Sequence, residues 1–381
     1  MMVDILYVHN SSLISGGERS LLQLWANLDR RVYTPHVVLP KEGVFAQEIR
    51  RMGIDLVFLD VPPLRPWTAL RFILARRCLA QIVLAKNIRL IHSYTPRNNL
   101  LSSWVAHKAG IKVIWHERNL LWRGENDISR QFIAQADALI CNSAAVAERF
   151  RSNGSVPPKV RVILNGIDLQ RFLPAPNKAA VKERLGWGKK KVVGIVTNLE
   201  PRKGVETFLD VAAAIVRQRR DILFVVVGGC YGSGDRRMDV LRQRATALGL
   251  DGYLFWVGFQ ADVRPYVGGF DISLHVTEKE ACSRAILESM AMRVPVMAFA
   301  DGGNAELIND GINGILVPAG RVDILIERLM PLLDRDVELS RLGQAARARV
   351  QSVFDVRRNA AQTQALYYEL LSGCALPAQQ G

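Results

Sequence analysis

Along the first 172 residues, short apolar runs recur at intervals that leave room for one helix between each pair. They lie at Ile5 to His9, His36 to Leu39, Leu56 to Leu59, Leu90 to His92, Val113 to Trp115, Ala138 to Cys141 and Val160 to Leu164. Runs this short and this uniformly apolar suit strands buried on both faces, and strand-helix alternation of this length predicts a parallel sheet wrapped by helices. The alternation restarts after Pro174-Ala-Pro176, with runs at Val192 to Val196, Leu223 to Val227, Leu254 to Val257, Ile272 to Leu274 and Val294 to Ala298. The break predicts two α/β domains, residues 1–172 and 173–354, followed by a helix and tail at 355–381. A chain of 381 residues is long enough for two cores of about 170–200 residues each. Open α/β sheets bind ligands at the carboxyl ends of their strands. Two such domains facing each other would leave a cleft there, with a ligand bridging both halves. Only the residues after Gly373 read as disordered.

The chemistry concentrates between Val257 and Pro318, where Glu280 and Glu288 stand on either side of a loop-to-helix junction. Phe270 to His275 reads as a buried strand, and Ala285 to Arg293 as a helix with apolar residues at Ile286, Leu287, Met290 and Ala291. A helix starting near Ser283 aims the unpaired N–H groups of Ala281, Cys282, Ser283 and Arg284 at one point, which favours a phosphate. A carboxylate one turn into the helix can accept two hydrogen bonds from a vicinal diol such as ribose. One in the loop can face a group beyond the phosphates. The spacing by itself also fits solvated helix charge. Arg202-Lys203-Gly204 opens a helix after a strand, so two cations and a helix N-terminus could neutralise a diphosphate, or form a solvated basic turn. Gly16-Gly17, between the first strand and a helix from Glu18, lets backbone approach a phosphate, or makes a plain tight turn. His116 follows the strand Val113 to Trp115 and points from its carboxyl end. His92 has a similar place and reads as structural.

Net charge is +14, and its distribution matters more than its size. Up to Phe172 there are 23 Lys and Arg against 13 Asp and Glu; the remainder has 27 against 23. A basic first half suits an anionic lipid surface or a phosphate-bearing partner, or a merely soluble face. No helix-turn-helix, RNP-like strand or zinc module accompanies the charge, so nucleic acid is not expected. The five cysteines are scattered and odd in number, which fits a reducing cytoplasm. The N-terminus reads as a buried strand rather than a leader, and no run of 18 apolar residues occurs. Leu70 to Lys86, studded with Arg71, Arg76, Arg77 and Lys86, has apolar residues on all sides. That reads as a buried domain helix in preference to a membrane-surface one. Gly228 to Gly234 is neither Gly-x-Gly-x-x-Gly nor a P-loop. Asp334-Arg335-Asp336 imitates a metal motif in a place where aspartates cap helices; no metal or other cofactor is expected.

Three linked blocks in order, Glu280-Ala-Cys-Ser-Arg-Ala-Ile-Leu-Glu288-Ser-Met-Ala-Met-Arg-Val-Pro295-Val, Gly302-Gly303-Asn304-Ala305-Glu306-Leu307 and Asp310-Gly-Ile-Asn-Gly-Ile-Leu-Val317-Pro318, resemble the retaining glycosyltransferases of family 4. Weaker matches at Lys203-Gly204, Asn165 to Asp168, His116-Glu117 and Gly16-Gly17 extend the likeness over nearly the whole chain. The resemblance implies a GT-B fold, two Rossmann-like parallel-sheet domains facing across a cleft, with the last helix crossing back to the first domain. It implies transfer of a sugar from a nucleotide diphosphate to an acceptor hydroxyl with retention, in bacterial polysaccharide or glycolipid synthesis. The acceptor would be a saccharide or lipid-linked saccharide, reached from the cytoplasm at the inner face of the cell membrane. It implies roles for His116 and Glu280 at the transferred sugar. Gly16, Gly17, Arg202, Lys203, Ala281, Cys282, Ser283, Arg284 and Glu288 would hold the donor. Two departures stand out: Thr197-Asn198 replaces the usual Gly-Arg, and Ala281-Cys282 replaces Gly-Phe or Gly-Leu. A nucleotide-sugar epimerase, a sugar phosphorylase or a non-catalytic binder of nucleotide sugars would share the fold.

Overall fold

The computed structural model describes residues 2–63, 65–121, 124–230 and 236–373. The end of the glycine-rich segment (231–235), Cys374 and the tail lie outside the described residues. The chain forms two compact units. One runs up to Gly166 and resumes at Val356; the other is Ile167–Asp355.

The first unit is built on a seven-stranded parallel sheet. Its strands are β1 (Val3–Val8), β2 (Tyr33–Leu39), β3 (Asp55–Phe58), β4 (Leu90–Tyr94), β5 (Lys112–Glu117), β6 (Ala138–Cys141) and β7 (Val160–Val162), in the order β3-β2-β1-β4-β5-β6-β7. β4 and β6 are buried along their whole length, as expected where helices cover both faces. Ile5, Tyr7, Val37, Ile114 and Ile140 form a core with Leu21, Trp25 and Phe45. The helix Val356–Ser372 completes that core with Ala360, Leu366 and Tyr367. Leu371 packs against it too, whereas Tyr368, one residue after Tyr367, is half exposed and lies off the packing face. That face follows the 360, 363, 367, 371 helical repeat.

The segment 167–172, assigned from the sequence to the first domain, belongs to the second unit. Ile167 donates its N–H to the Phe354 carbonyl (2.8 Å), and Arg347 donates to the Phe172 carbonyl (3.0 Å). Pro174-Ala-Pro176 marks a bend inside that unit rather than its edge.

The second unit has strands β8 (Lys191–Val196), β9 (Ile222–Val227), β10 (Leu254–Gly258), β11 (Ile272–His275), β12 (Val296–Phe299) and β13 (Ile315–Val317), in the order β10-β9-β8-β11-β12-β13. β9, Ile-Leu-Phe-Val-Val-Val, is buried throughout. β13 comes from the third sequence block and was not anticipated as a strand. Asp334 pairs with Arg219 at 2.8 Å, while Asp336 opens the helix Asp336–Val353 and pairs with Lys191.

Both sheets run outward in both directions from their first strand. The order reverses between β1 and β4 and again between β8 and β11. The crevice beyond the carboxyl ends at such a reversal is where open α/β sheets take ligands.

Candidate functional site

In the second unit, the loops leaving β8 and β11 meet at the reversal point. After β8 the chain makes the tight turn Pro201–Lys203, and Gly204 opens the helix Val205–Val216. Gly204 sits at φ +72°, and a Cβ there would come 2.3 Å from the Val276 carbonyl oxygen, just past β11. Only glycine allows this approach, and it brings Lys203 to the β11 loop. The Lys203 ammonium donates to Glu280 Oε2 at 2.7 Å, with both side chains less than a fifth exposed. Glu280 is held by its backbone: its carbonyl accepts the Gly303 N–H (2.8 Å), and Lys279 before it, at φ +53°, donates its N–H to Asp301 Oδ2 (2.8 Å). The second sequence block therefore anchors the first. Burial, then the nearby Lys203 charge, push the His275 imidazole down to about 3, so it is neutral, with Nε2 3.0 Å from Ser273 Oγ.

The helix anticipated over Ala285 to Arg293 spans Arg284–Ala291, with Ser283 as its N-cap accepting the Ile286 N–H (3.4 Å). Ala281, Cys282, Ser283 and Arg284 are all buried at its start. Glu288 is buried one turn in, its Oε1 3.5 Å from the Arg284 guanidinium. The two cations expected to share a diphosphate go separate ways here. Lys203 faces Glu280, whereas Arg202, about half exposed, pairs with Glu200 at 2.7 Å.

In the first unit, Gly16 and Gly17 are the first two residues of the helix Gly16–Ala26, not a turn ahead of it. The Glu18 carboxylate accepts the Ser15 N–H (2.8 Å) and hydroxyl, and lies 2.7 Å from His9 Nε2. Burial raises the pKa of Glu18, but the His9 hydrogen bond and charge and the two Ser15 bonds outweigh it and hold it at about 2. Arg118 donates to the Gly17 carbonyl.

His116, near the end of β5, is buried. Its Nδ1 lies 3.1 Å from His92 Nε2, and its Nε2 has no hydrogen-bond partner. The Tyr94 ring lies against both, 4.8 Å from His92 and 5.0 Å from His116, with the Arg118 guanidinium 4.9 Å from its centre. Burial, then the Arg118 charge, hold both imidazoles well below their ordinary pKa, so both are neutral. Glu117 faces inward, accepting from Asn99, Ser129 and Arg149; burial pushes its pKa up despite Arg149. It braces the loop after β5.

The sequence gives His92 only a structural place, and nothing in it singles out Tyr94, Arg118 or the His9–Glu18 pair. The register offers a signal for some of them: Tyr94 opposes His116 and His92 opposes Ile114. Side-chain alternation then puts His92, Tyr94 and His116 on one face of adjacent strands.

Residues 14–171 match the profile described as Glycosyltransferase Family 4, and residues 177–349 match Glycosyl transferases group 1. The chain belongs to the family 4 glycosyltransferases. This family 4 chain is 28% identical over 263 residues to a GDP-mannose-dependent monoacylated phosphatidylinositol monomannoside mannosyltransferase of Corynebacterium glutamicum, covering 66% of each. The chain spans about half to two thirds of the length of the curated relatives it matches at 27–29% identity. It is 22% identical, over 97% of both chains, to an Escherichia coli galactosyltransferase acting on α-D-GlcNAc-diphosphoundecaprenol. Among solved structures it superposes on Anabaena HepE in complex with UDP with a TM-score of 0.84, at 22% identity over 97% of this chain and all of that one. The fold is GT-B.

Proposed function

We propose that this family 4 glycosyltransferase moves a sugar from a nucleotide diphosphate to a hydroxyl of a saccharide or lipid-linked saccharide, with retention at the anomeric carbon. The observation that carries the reading is the Lys203–Glu280 pair beside the Ser283-capped helix, at the order reversal of the second sheet. Helix amides and Lys203 suit the diphosphate, where charge grows as the leaving group departs. Arg202 is close in sequence and joins that clamp only by exchanging Glu200 for the phosphates. Glu288 suits the ribose hydroxyls, and Glu280 the sugar beyond the phosphates. His116 is assigned to the sugar as well. Charge neutralisation by these groups lets transfer proceed without a divalent metal. The nucleotide sugars and lipid-linked acceptors in the names of the relatives support this choice of substrates.

The acceptor reading brings with it a peripheral contact with an anionic membrane. Support comes from the helix Ala69–Ala85. Phe72, Ala75, Leu79 and Val83 face the core, while Leu70 and Leu84 are 70% and 75% exposed on the opposite side, with Leu74 between them. Trp67, just before it, is 75% exposed. The helix carries Arg71, Arg76 and Arg77 and no acidic residue. The exposed apolar face overturns the fully buried reading and gives the helix two faces of different use. Apolar side chains among cations suit the headgroup boundary. No helix among the described residues is long and apolar enough to cross a membrane.

The test is a panel of UDP-, GDP-, ADP- and dTDP-sugars, scored by thermal shift and by release of free nucleoside diphosphate with and without lipid extract. Acceptor-dependent release of one nucleotide, and an anomeric proton coupling in the product that matches the donor, are the expected results. Nucleotide binding without release on any extract refutes the transferase reading, and inversion refutes retention.

A further inference from the structure

The unpaired Nε2 of His116 ends a hydrogen-bonded chain that begins in the sealed core of the first unit. The Tyr7 hydroxyl lies 3.0 Å from that of Tyr367, which lies 2.6 Å from His92 Nδ1; His92 Nε2 then lies 3.1 Å from His116 Nδ1. A hydroxyl has one proton to give, and a neutral imidazole carries one N–H and one acceptor nitrogen. If no hydroxyl proton inside the chain is left unused, every link points the same way. The protons run either from Tyr7 towards His116, or from His116 towards Tyr7.

The two directions leave different orphans. If the chain runs towards Tyr7, its last proton belongs to a fully buried hydroxyl whose one hydrogen-bond partner, Tyr367, is then already donating to it. No ligand can reach that proton, and a buried donor without an acceptor is the costly kind of defect. If it runs towards His116, Tyr7 spends its proton on Tyr367, and the surplus proton sits on His116 Nε2. That atom is buried too, but His116 keeps 7% of its surface exposed near the carboxyl end of β5 whereas Tyr7 keeps none, and a sugar oxygen brought there would accept its proton. With the sugar bound at His116, the second direction leaves no permanent orphan donor.

We infer that Tyr7, Tyr367 and His92 are positioning residues that fix His116 as the neutral Nε2–H tautomer, making it a hydrogen-bond donor to an oxygen of the sugar substrate. This rests on the assignment of His116 to the sugar. His92 is then the residue that decides which nitrogen of its neighbour carries the proton. The helix Val356–Ser372, through Tyr367, supplies a part of the site far from the sheet's loops in sequence.

The tautomers can be read directly from two-bond proton–nitrogen correlation spectra of the full chain labelled with ¹⁵N-histidine. His92→Gln and His116→Gln assign the signals. His92 and His116 should both appear as single Nε2–H tautomers. In His92→Phe, which keeps a stacking ring but removes the donor to Nδ1, His116 should become a mixture. Turnover should then fall roughly tenfold with the donor KM unchanged, the split expected of an interaction used in the transition state. His92→Gln, whose amide can still donate, should restore the single tautomer and most of the turnover. Should His92→Phe not fold, Tyr367→Phe serves instead, and the His92 Nδ1 resonance should move to its unbonded position. The inference is overturned if His116 is the Nδ1–H tautomer, if His92→Phe leaves its tautomer unchanged, or if Tyr367→Phe leaves the His92 Nδ1 resonance in place. If His116→Ala retains full transfer, the sugar assignment fails, while the spectra still decide the wiring.

Discussion

Removing Glu280 should separate donor turnover from nucleotide binding. Its carboxylate is 2.7 Å from the Lys203 ammonium, and the two side chains are 18% and 19% exposed. At an effective dielectric near 20, opposite unit charges about 4 Å apart attract by about 4 kcal/mol. Desolvation and the remaining water contact cancel the larger part, which leaves a net coupling of about 1–2 kcal/mol. Glu280→Ala therefore releases a lysine toward the diphosphate. Nucleoside diphosphate should bind within a few-fold of wild type, or somewhat more tightly. Turnover should fall by about 10²–10³, the loss typical of one preorganised group aimed at transition-state charge. Lys203→Ala removes a charge-assisted bond to the phosphates and should weaken binding by about 1.5–3 kcal/mol, besides lowering turnover. Calorimetry with whichever diphosphate the donor panel selects, on both single variants and the double variant, measures the coupling. Loss of nucleotide binding in Glu280→Ala would sink the division of labour, because a group confined to the sugar cannot be needed for the nucleotide alone.

Glu288→Gln should lose about 1.5–3 kcal/mol of affinity for the nucleoside diphosphate alone; unchanged calorimetric affinity contradicts the ribose assignment. Transfer should persist in EDTA, and complete loss restored by manganese would refute the metal-free clamp. Glu18 has a folded pKa of about 2, below its ordinary 4.5, so the stability it contributes is present above pH 4.5 and is lost as pH falls through 2. Linkage puts that contribution at up to about 3 kcal/mol. Glu18→Gln should destabilise about twice as much at pH 7 as at pH 3, where part of the carboxylate's contribution remains, and an equal drop in Tm at both argues against the network around His9. Trp67→Ser with Leu70→Ser should reduce co-sedimentation with phosphatidylglycerol vesicles, but not turnover on a soluble acceptor. Undiminished sedimentation moves the contact away from the helix Ala69–Ala85.

What could be read from the sequence followed from periodicity and local order. Both parallel sheets, the loop position of Glu280 and the helical position of Glu288 depend on neighbours within a turn or two, and they stand where the pattern put them. Pairings that depend on strand register were not legible. Nothing local to Lys203 shows that Gly204 will press against the Val276 carbonyl and carry the lysine to Glu280. His92 read as a plain strand-end residue because its partners are one strand away, at His116, and on the last helix, at Tyr367. The helix Ala69–Ala85 misled for another reason: with apolar residues all round it had no stripe to read, and only tertiary packing selected Phe72, Ala75, Leu79 and Val83 as the inner face. Pro174-Ala-Pro176 looked like a boundary from composition, whereas the chain changes unit at Gly166, where the backbone bonding of Ile167 changes partners.

The first unit is discontinuous in sequence, and this fixes an order of events on the ribosome. When Gly166 emerges, all seven strands of the first sheet have been made, yet Tyr7 still lacks the Tyr367 hydroxyl it bonds and Tyr33 the Tyr367 ring that packs on it. The second unit is continuous and can fold as soon as it is made, whereas the first must wait for Val356–Ser372 to arrive. The half synthesised first is thus the half completed last, and in the interval it presents an open apolar seam to the chaperones that guard such surfaces.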